Sequence, residues 1–232
     1  MIGCGKHKDF MAKDGDAYCK EVTQYWPYYD SKIKAEMHAI EYAHKNNVEL
    51  VCLRPTMMFG PRDLRFRSTH TLLSFLDRKV PFIPSGGVSF VDVRDVAQSF
   101  VAAMELKEAL GQTYLLGAKN YTLYEFFTNL EALTGVKKPL LTVSAPVART
   151  GAVVLDFLNR KVRGKWEASI DPVRAEMAGC FWYINSDKAK KELAFRPRSP
   201  NETLRDTLKW MVANREKYGH PPKRPNKIPS KL

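Results

Sequence analysis

The order of elements in this chain predicts an α/β fold built on a parallel sheet. Three observations carry the prediction. A stretch of helical period from Tyr28 to about Asn47 is followed, after a short loop, by the apolar run Leu50-Val51-Cys52-Leu53, which closes at Pro55. A helix leading into a short buried strand is the unit from which parallel sheets are made. The alternation then continues: extended segments at 80–84 and 88–93, a helix opened by Asp92 and running to about Leu106, and a short strand in Gly-Gln-Thr-Tyr-Leu-Leu-Gly, residues 111–117. Composition agrees, since 44% hydrophobic and 27% charged residues over 232 positions is ordinary for a globular chain of one large or two small domains.

Each element has a local reason. Residues 1–27 lack periodicity and read as loop. In the first helix Ile33, Met37 and Ile40 fall at i, i+4 and i+7 and form the expected apolar face, with Asn46-Asn47 as its stop. Asp92 and Asp95 read as cap and first-turn charge of their helix rather than as a paired acid and base. Thr122-Leu-Tyr-Glu125 is a capping box, the aromatics of Glu-Phe-Phe-Thr-Asn-Leu after it are core, and Gly135 is the stop. Ser199-Pro200-Asn201-Glu202 reads as a second capping box. The helix it opens buries Leu204, Leu208, Met211 and Val212 and ends by Gly219. The apolar stretch 145–158, turning basic at Arg160-Lys161, reads as a helix over the substrate site, with a membrane-surface helix as the alternative.

Charge and cysteines exclude several classes. The net charge is +12, but six basic residues against one acidic fall between Arg215 and Leu232, and the rest of the excess is dispersed. No basic stripe interleaved with aromatics is present, so no nucleic acid is expected as partner. No apolar run approaches the ~20 residues that cross a bilayer, and no transmembrane segment or secretory signal is expected. Cys4, Cys19, Cys52 and Cys180 form no Cys-x-x-Cys pair, and His38 and His44 read as solvent-facing. No metal site is expected, and the thiols suit a reducing compartment.

The chemistry-bearing segment is Tyr28-Tyr-Asp-Ser-Lys32. Tyr28 and Lys32 stand at i and i+4, so they share one helix face. An ammonium beside a phenol favours the phenolate, and such a phenol can exchange a proton with a substrate oxygen.

Five segments in register then resemble the extended short-chain dehydrogenase/reductase family, in its dihydroflavonol reductase-like and 3β-hydroxysteroid dehydrogenase-like branch. PYYDSKIKAE resembles the Tyr-x-x-Ser-Lys helix of that family, and LRPTMMFGPRD its Leu-Arg-Pro…Gly-Pro strand and loop. SFVDVRDVAQSFVAAME, GQTYLLG with YTLYEFFTNLEALTG, and NSDKAKKELAFRPR resemble the segments that follow. The resemblance implies the C-terminal part of a Rossmann domain (a doubly wound parallel sheet) joined to a small α/β substrate domain. It also implies an oxidoreductase using NADP or NAD. On it, Tyr28 would be the general acid/base, and Lys32 would hold the nicotinamide ribose and favour the phenolate. Pro55, Thr56, Met57 and Met58 would pass beside the nicotinamide ring, so Tyr28, Lys32 and these four residues are the expected cofactor contacts. Residues 1–110 would form the partial Rossmann domain, 111–218 the substrate domain, and 219–232 a basic, Pro-rich tail.

The family's glycine-rich dinucleotide loop and its catalytic Ser/Thr have no counterpart in these 232 residues, so the chain is expected to be N-terminally truncated. Its strand near Leu50–Arg54 should then lack an inner neighbour. The last three residues, Ser230-Lys231-Leu232, match a peroxisomal matrix signal, which implies the import receptor as a partner and the peroxisome as location, with the cytoplasm as alternative. The expected reaction interconverts a secondary alcohol and a ketone on a steroid-, lipid- or flavonoid-like small molecule. A nucleotide-sugar epimerase/dehydratase, with Arg62, Arg65 and Arg67 gripping a diphosphate, is one alternative. A non-catalytic binding or regulatory isoform is another. The family's dimer helix would include that of Tyr28, which allows a homodimer.

Overall fold

The computed structural model describes residues 5, 7–20, 26–144, 146, 147, 150, 151 and 177–220. The apolar-to-basic stretch expected as a helix at 145–165 lies almost wholly outside the described residues, as do Cys4, Ser230, Lys231 and Leu232.

Helix α1 (Pro27–Asn46) opens on a proline at its first position and ends at Asn47, whose φ of 53° is the left-handed cap conformation expected of an asparagine stop. Strand β1 (Cys52–Pro55) follows, then β2 (Met57–Phe59), α2 (His70–Leu76), β3 (Ile83–Pro84) and β4 (Gly87–Asp92). Next come α3 (Val93–Glu105), a short 3₁₀ turn at Lys107–Ala109, β5 (Thr113–Leu116), β6 (Lys119–Thr122) and α4 (Leu123–Thr134). The remaining elements are β7 (Thr142–Val143), α5 (Asp187–Glu192) and α6 (Pro200–Asn214). The fold is α/β with parallel pairing, as its order implied. β1 lies parallel to β5 with Arg54 opposite Leu115, β2 parallel to β4, and β3 parallel to β7. β6 runs antiparallel to β4, with Ser89 opposite Asn120.

The two larger core clusters among the described residues hold these layers. Phe59, Phe90, Phe126 and Leu130 pack with Leu72, Leu204, Leu208 and Met211 between the β2–β4–β6 sheet and helices α2, α4 and α6. Val91, Val96, Tyr114, Leu116 and Phe195 pack one face of β1–β5 against α3 and α5. The β1–β5 pair crosses residue 110, so one sheet draws on both sides of that position. Among the described residues β1 pairs with β5 only, and it is half-buried along its length rather than enclosed.

Three local expectations are corrected. Met37 and Ile40 are 43% and 42% exposed, because α1 packs through Ile33 and Ala43 instead. Ser199 precedes α6 but makes no side-chain cap bond; Glu202 lies 3.9 Å from Arg198 instead of closing a box. Regular helix in α6 ends at Asn214, with Arg215–Gly219 continuing as turn. The other capping box is complete: Thr122 accepts from the Glu125 N–H, and Glu125 accepts from the Thr122 N–H at 2.8 Å.

The segment read as loop at the start of the chain is pinned. Gly5 pairs with Phe181 and Ala12 with Ile184, and the Asp14 carboxylate accepts from the Leu115 N–H at 2.9 Å. At the other end Arg215, buried, bonds Asp77 at 2.8 Å and the His220 carbonyl at 2.7 Å.

Candidate functional site

Tyr28 and Lys32 lie on the first two turns of α1. Tyr28 is 66% exposed, and the Lys32 Nζ stands 5.6 Å from the centroid of its ring. The Ser31 hydroxyl donates to the Tyr28 carbonyl at 2.7 Å, so it serves the turn rather than a ligand. The i, i+4 spacing therefore yields a phenol and an ammonium facing solvent together.

Glu36 continues this stripe one further turn along. Its carboxylate receives the Arg54 Nε at 2.8 Å, and Arg54 also donates through Nη2. Both side chains are only 17% exposed. The Arg54 guanidinium covers the Tyr18 ring at 5.4 Å. Burial disfavours the Arg54 cation, but bonds and charge from Glu36 outweigh it and push the pKa up. Burial, reinforced by the Glu36 charge, pushes up the Tyr18 hydroxyl and the Cys52 thiol. One face of α1 is thus tied to the last turnless stretch of β1, directly before Pro55–Met58.

Pro55 ends β1, and Thr56 crosses to β5. Its N–H donates to the Leu116 carbonyl at 2.9 Å and its hydroxyl to the same oxygen at 3.2 Å. Met57 and Met58 follow on β2 with much of their surface open. Four of the six expected cofactor contacts, Pro55 to Met58, hence sit together at the carboxyl end of parallel strands, where open α/β sheets bind ligands. The Glu36–Arg54 pair joins that end of the sheet to the helix bearing Tyr28 and Lys32.

An aromatic cluster adjoins Tyr28. Its ring meets Tyr29 edge-on at 5.3 Å, and Tyr29 stacks on Trp182 at 5.4 Å and 21°. Trp26, buried, backs both at 5.7 and 5.8 Å. A cleft of about 250 Å³ lies near the end of β5, lined by Ser89, Gly117, Asn120, Ser186, Asp187 and Lys190 among others.

Asp92 and Asp95 behave as expected of a helix start. Asp92 caps α3 by accepting from the Arg94 N–H at 2.9 Å, and both carboxylates are buried and bonded to arginines. Arg62, Arg65 and Arg67 are exposed on the loop after β2, whose turn is held by Asp63 accepting from Thr69. His38 and His44 face solvent. Among the described residues no cluster of His, Cys, Asp and Glu could hold a metal ion, and no helix is long and apolar enough to cross a membrane.

Sequence reasoning assigned no role to Glu36, Arg54, Tyr29 or Trp182. The first two were findable: Tyr28, Lys32 and Glu36 are spaced i, i+4, i+8, and Arg54 is the one charge in an apolar strand. Trp182 carried no local signal.

Residues 5–117 match the NAD dependent epimerase/dehydratase family. The chain is 30% identical over 187 residues to a putative dihydroflavonol 4-reductase of Synechocystis sp., covering 79% of this chain and 54% of that protein. It is 26% identical to the sterol-4-alpha-carboxylate 3-dehydrogenase, decarboxylating, of Candida albicans, covering 79% and 56%. The crystal structure of gox2253 superposes with a TM-score of 0.72 at 25% identity, over 90% of this chain and 62% of that one. A nucleoside-diphosphate-sugar epimerase of Pseudomonas aeruginosa, PA4631, superposes with the same score at 20% identity, over 91% and 64%, and shares the fold. The chain spans about half the length of the curated relatives it matches.

Proposed function

We propose, from the match of residues 5–117 to the NAD dependent epimerase/dehydratase family, that this chain is one of the extended short-chain dehydrogenase/reductases and contributes the proton-transfer half of an NAD(P)-linked carbonyl reductase. The reaction interconverts a ketone and a secondary alcohol on an apolar small molecule. The observation that carries this reading is the solvent-facing Tyr28–Lys32 pair on a helix anchored through Glu36 to Arg54, beside the Pro55–Met58 crossing.

The residues present suit the nicotinamide side of the cofactor. Met57 and Met58 offer exposed apolar surface at the end of the sheet, and Lys32 offers an unburied ammonium for ribose hydroxyls. The pyrophosphate side has no glycine-rich loop in these 232 residues. When bound, the dihydronicotinamide supplies the hydride to the carbonyl carbon. Tyr28 donates its hydroxyl proton to the carbonyl oxygen, which becomes the alcohol. The Lys32 ammonium stabilises the phenolate left behind until solvent reprotonates it. Glu36 and Arg54 hold the helix so that both groups stay on the sheet's carboxyl end.

In the native protein, Tyr28→Phe lowers kcat for ketone reduction roughly 10²–10⁴-fold, the usual worth of a positioned acid. Unchanged turnover in that variant would overturn the assignment. A nucleotide-sugar epimerase/dehydratase is supported by one feature, the exposed Arg62, Arg65 and Arg67 on a loop whose turn is already satisfied by Asp63. Binding of UDP-glucose that is lost when these arginines are replaced would favour it. A binding isoform is the outcome if the unaltered protein binds ligand but reduces no ketone.

A further inference from the structure

Three separate stretches of chain meet at the loop that follows β2. Arg215, in the turn after α6, is buried and donates through Nη2 to the Asp77 carboxylate at the end of α2, at 2.8 Å. Its Nε donates to the His220 carbonyl at 2.7 Å. The His220 ring lies 4.8 Å from that of Phe66, in the middle of the loop, and Trp210 of α6 lies 5.7 Å from the same ring. Loop, end of α2 and C-terminal turn are thereby held together.

Their cations are gathered with them. Arg62, Arg65 and Arg67 of the loop, Arg78 and Lys79 beyond α2, and Lys217 of the turn are all exposed. The acids of the same stretches are mostly engaged within the protein. Asp63 accepts from the Thr69 N–H and from its hydroxyl, both at 3.0 Å. Asp77 is taken up by Arg215, with Lys79 at 3.8 Å from its other oxygen. Glu216 is the one exposed carboxylate in residues 60–69, 77–79 and 215–220.

An apolar side chain stands among these cations. Leu64 is 52% exposed between Arg62 and Arg65. The chain around it is tightly turned: the Leu64 N–H donates to the Arg62 carbonyl at 2.9 Å, and the Phe66 N–H to the Asp63 carbonyl at 3.0 Å. Arg62 and Phe66 hold left-handed φ angles of 75° and 49°, which cost energy in residues other than glycine. The buried Phe66 ring and the bonds to Asp63 maintain that shape, and the shape leaves Leu64 in solvent.

Basic side chains around an exposed aliphatic one match an anionic bilayer, where headgroups meet the cations and the acyl boundary takes the apolar side chain. A single-stranded nucleic acid would use charge together with aromatic platforms. The rings of this region contact one another instead: Phe66 with Trp210 and His220, and Trp210 with Tyr218 at 6.1 Å. We infer that the loop after β2, the end of α2 and the C-terminal turn form a docking surface for an anionic lipid bilayer. The six cations meet the headgroups, and Leu64 enters the interface.

The test is flotation of the full chain with vesicles at about 0.1 M salt, using phosphatidylcholine alone or with about 30% phosphatidylserine. The chain should float with the anionic vesicles only, and about 0.5 M salt should release it. A cation at the surface is worth about fivefold in partition. Arg62→Ala/Arg65→Ala/Arg67→Ala should therefore weaken binding roughly hundredfold, and Arg78→Ala/Lys79→Ala roughly twentyfold. Leu64→Ser should weaken it severalfold and leave the salt dependence in place. The basic residues beyond His220 stay intact in every variant, so binding carried by them alone would appear as no loss. All substituted side chains are exposed, and unchanged thermal melting checks that the fold is kept. Equal flotation with neutral vesicles, no flotation with anionic ones, or no loss in either set of cation variants would overturn the inference. So would displacement from the vesicles by single-stranded RNA or by UDP-glucose, which would assign the arginines to that ligand.

Discussion

Glu36 and Arg54 are the residues on which the geometry of the candidate site turns. Each is mostly withdrawn from water and each is the other's charge partner, so replacing one leaves the other half-desolvated without compensation. Glu36→Gln is expected to lower the unfolding free energy by about 1–3 kcal/mol, below the ~3–5 of a fully buried pair because both groups keep some solvent. Urea unfolding measures this. Adding Arg54→Met to Glu36→Gln should recover part of the loss, since it removes the stranded charge, and a further drop would refute that account. At this scale the sequence was readable where the signal is local. Tyr28 and Lys32 stand one turn apart and announce themselves, whereas Glu36 acquires meaning only from a partner 18 residues on. The Tyr29–Trp182 stack joins residues with no shared element, and nothing in residue spacing encodes it.

The two helix starts that look alike in sequence differ in structure, and the difference is measurable. Thr122 exchanges bonds with Glu125 in both directions, while Ser199 makes no side-chain cap bond. Thr122→Ala should therefore cost about 1 kcal/mol, and Ser199→Ala only a few tenths. Chemical denaturation of the two variants side by side settles the ordering; equal losses would mean that Ser199 caps after all. Helix positions were legible because caps, stops and the 3.6 period are local properties. β6 was missed because Lys-Asn-Tyr-Thr shows no apolar alternation; it is a strand only because β4, buried at all six positions, offers it a ladder. The expected face of α1 failed for the complementary reason. Period alone named Met37 and Ile40, but the rotation of α1 on the sheet is set by Ile33, Ala43 and the Glu36–Arg54 pair.

Across the whole molecule, five charged groups lock α3 to α6. Arg94 bonds Asp92 and Asp206, and Arg198 bonds Asp95 and reaches Asp92 at 3.5 Å. Burial pushes the Asp92 carboxyl up, but the side-chain and backbone bonds from Arg94, with its charge, together hold it below the usual carboxylate range. Its contribution is therefore complete above the ordinary carboxylate pKa and disappears as the pH falls through the depressed value. Asp95 is the opposite case: burial raises it despite Arg198, so its protonation on acidification favours the fold. Urea midpoints taken from about pH 7 down to about pH 3 should fall steeply at the acid end. Asp92→Asn should start lower and vary less over that range. An acid limb as steep in Asp92→Asn as in the unaltered protein would show that other carboxylates dominate.

The Asp14 carboxylate that holds the Leu115 N–H also has a consequence for time. The two residues are 101 apart, and the bond closes a loop containing α1–α3 and β1–β4. Chain closure over that span gives up a large amount of conformational freedom before the bond returns anything, so folding begins with the local helices. The strap across β5 is a late event, and the amide of Leu115 should be among the last to become protected from exchange during refolding, after those of α4. Until that moment the segment carrying Asp14 and Tyr18 is open to proteases, and the surface of β1–β5 that Tyr18 and Arg54 cover in the finished molecule is bare.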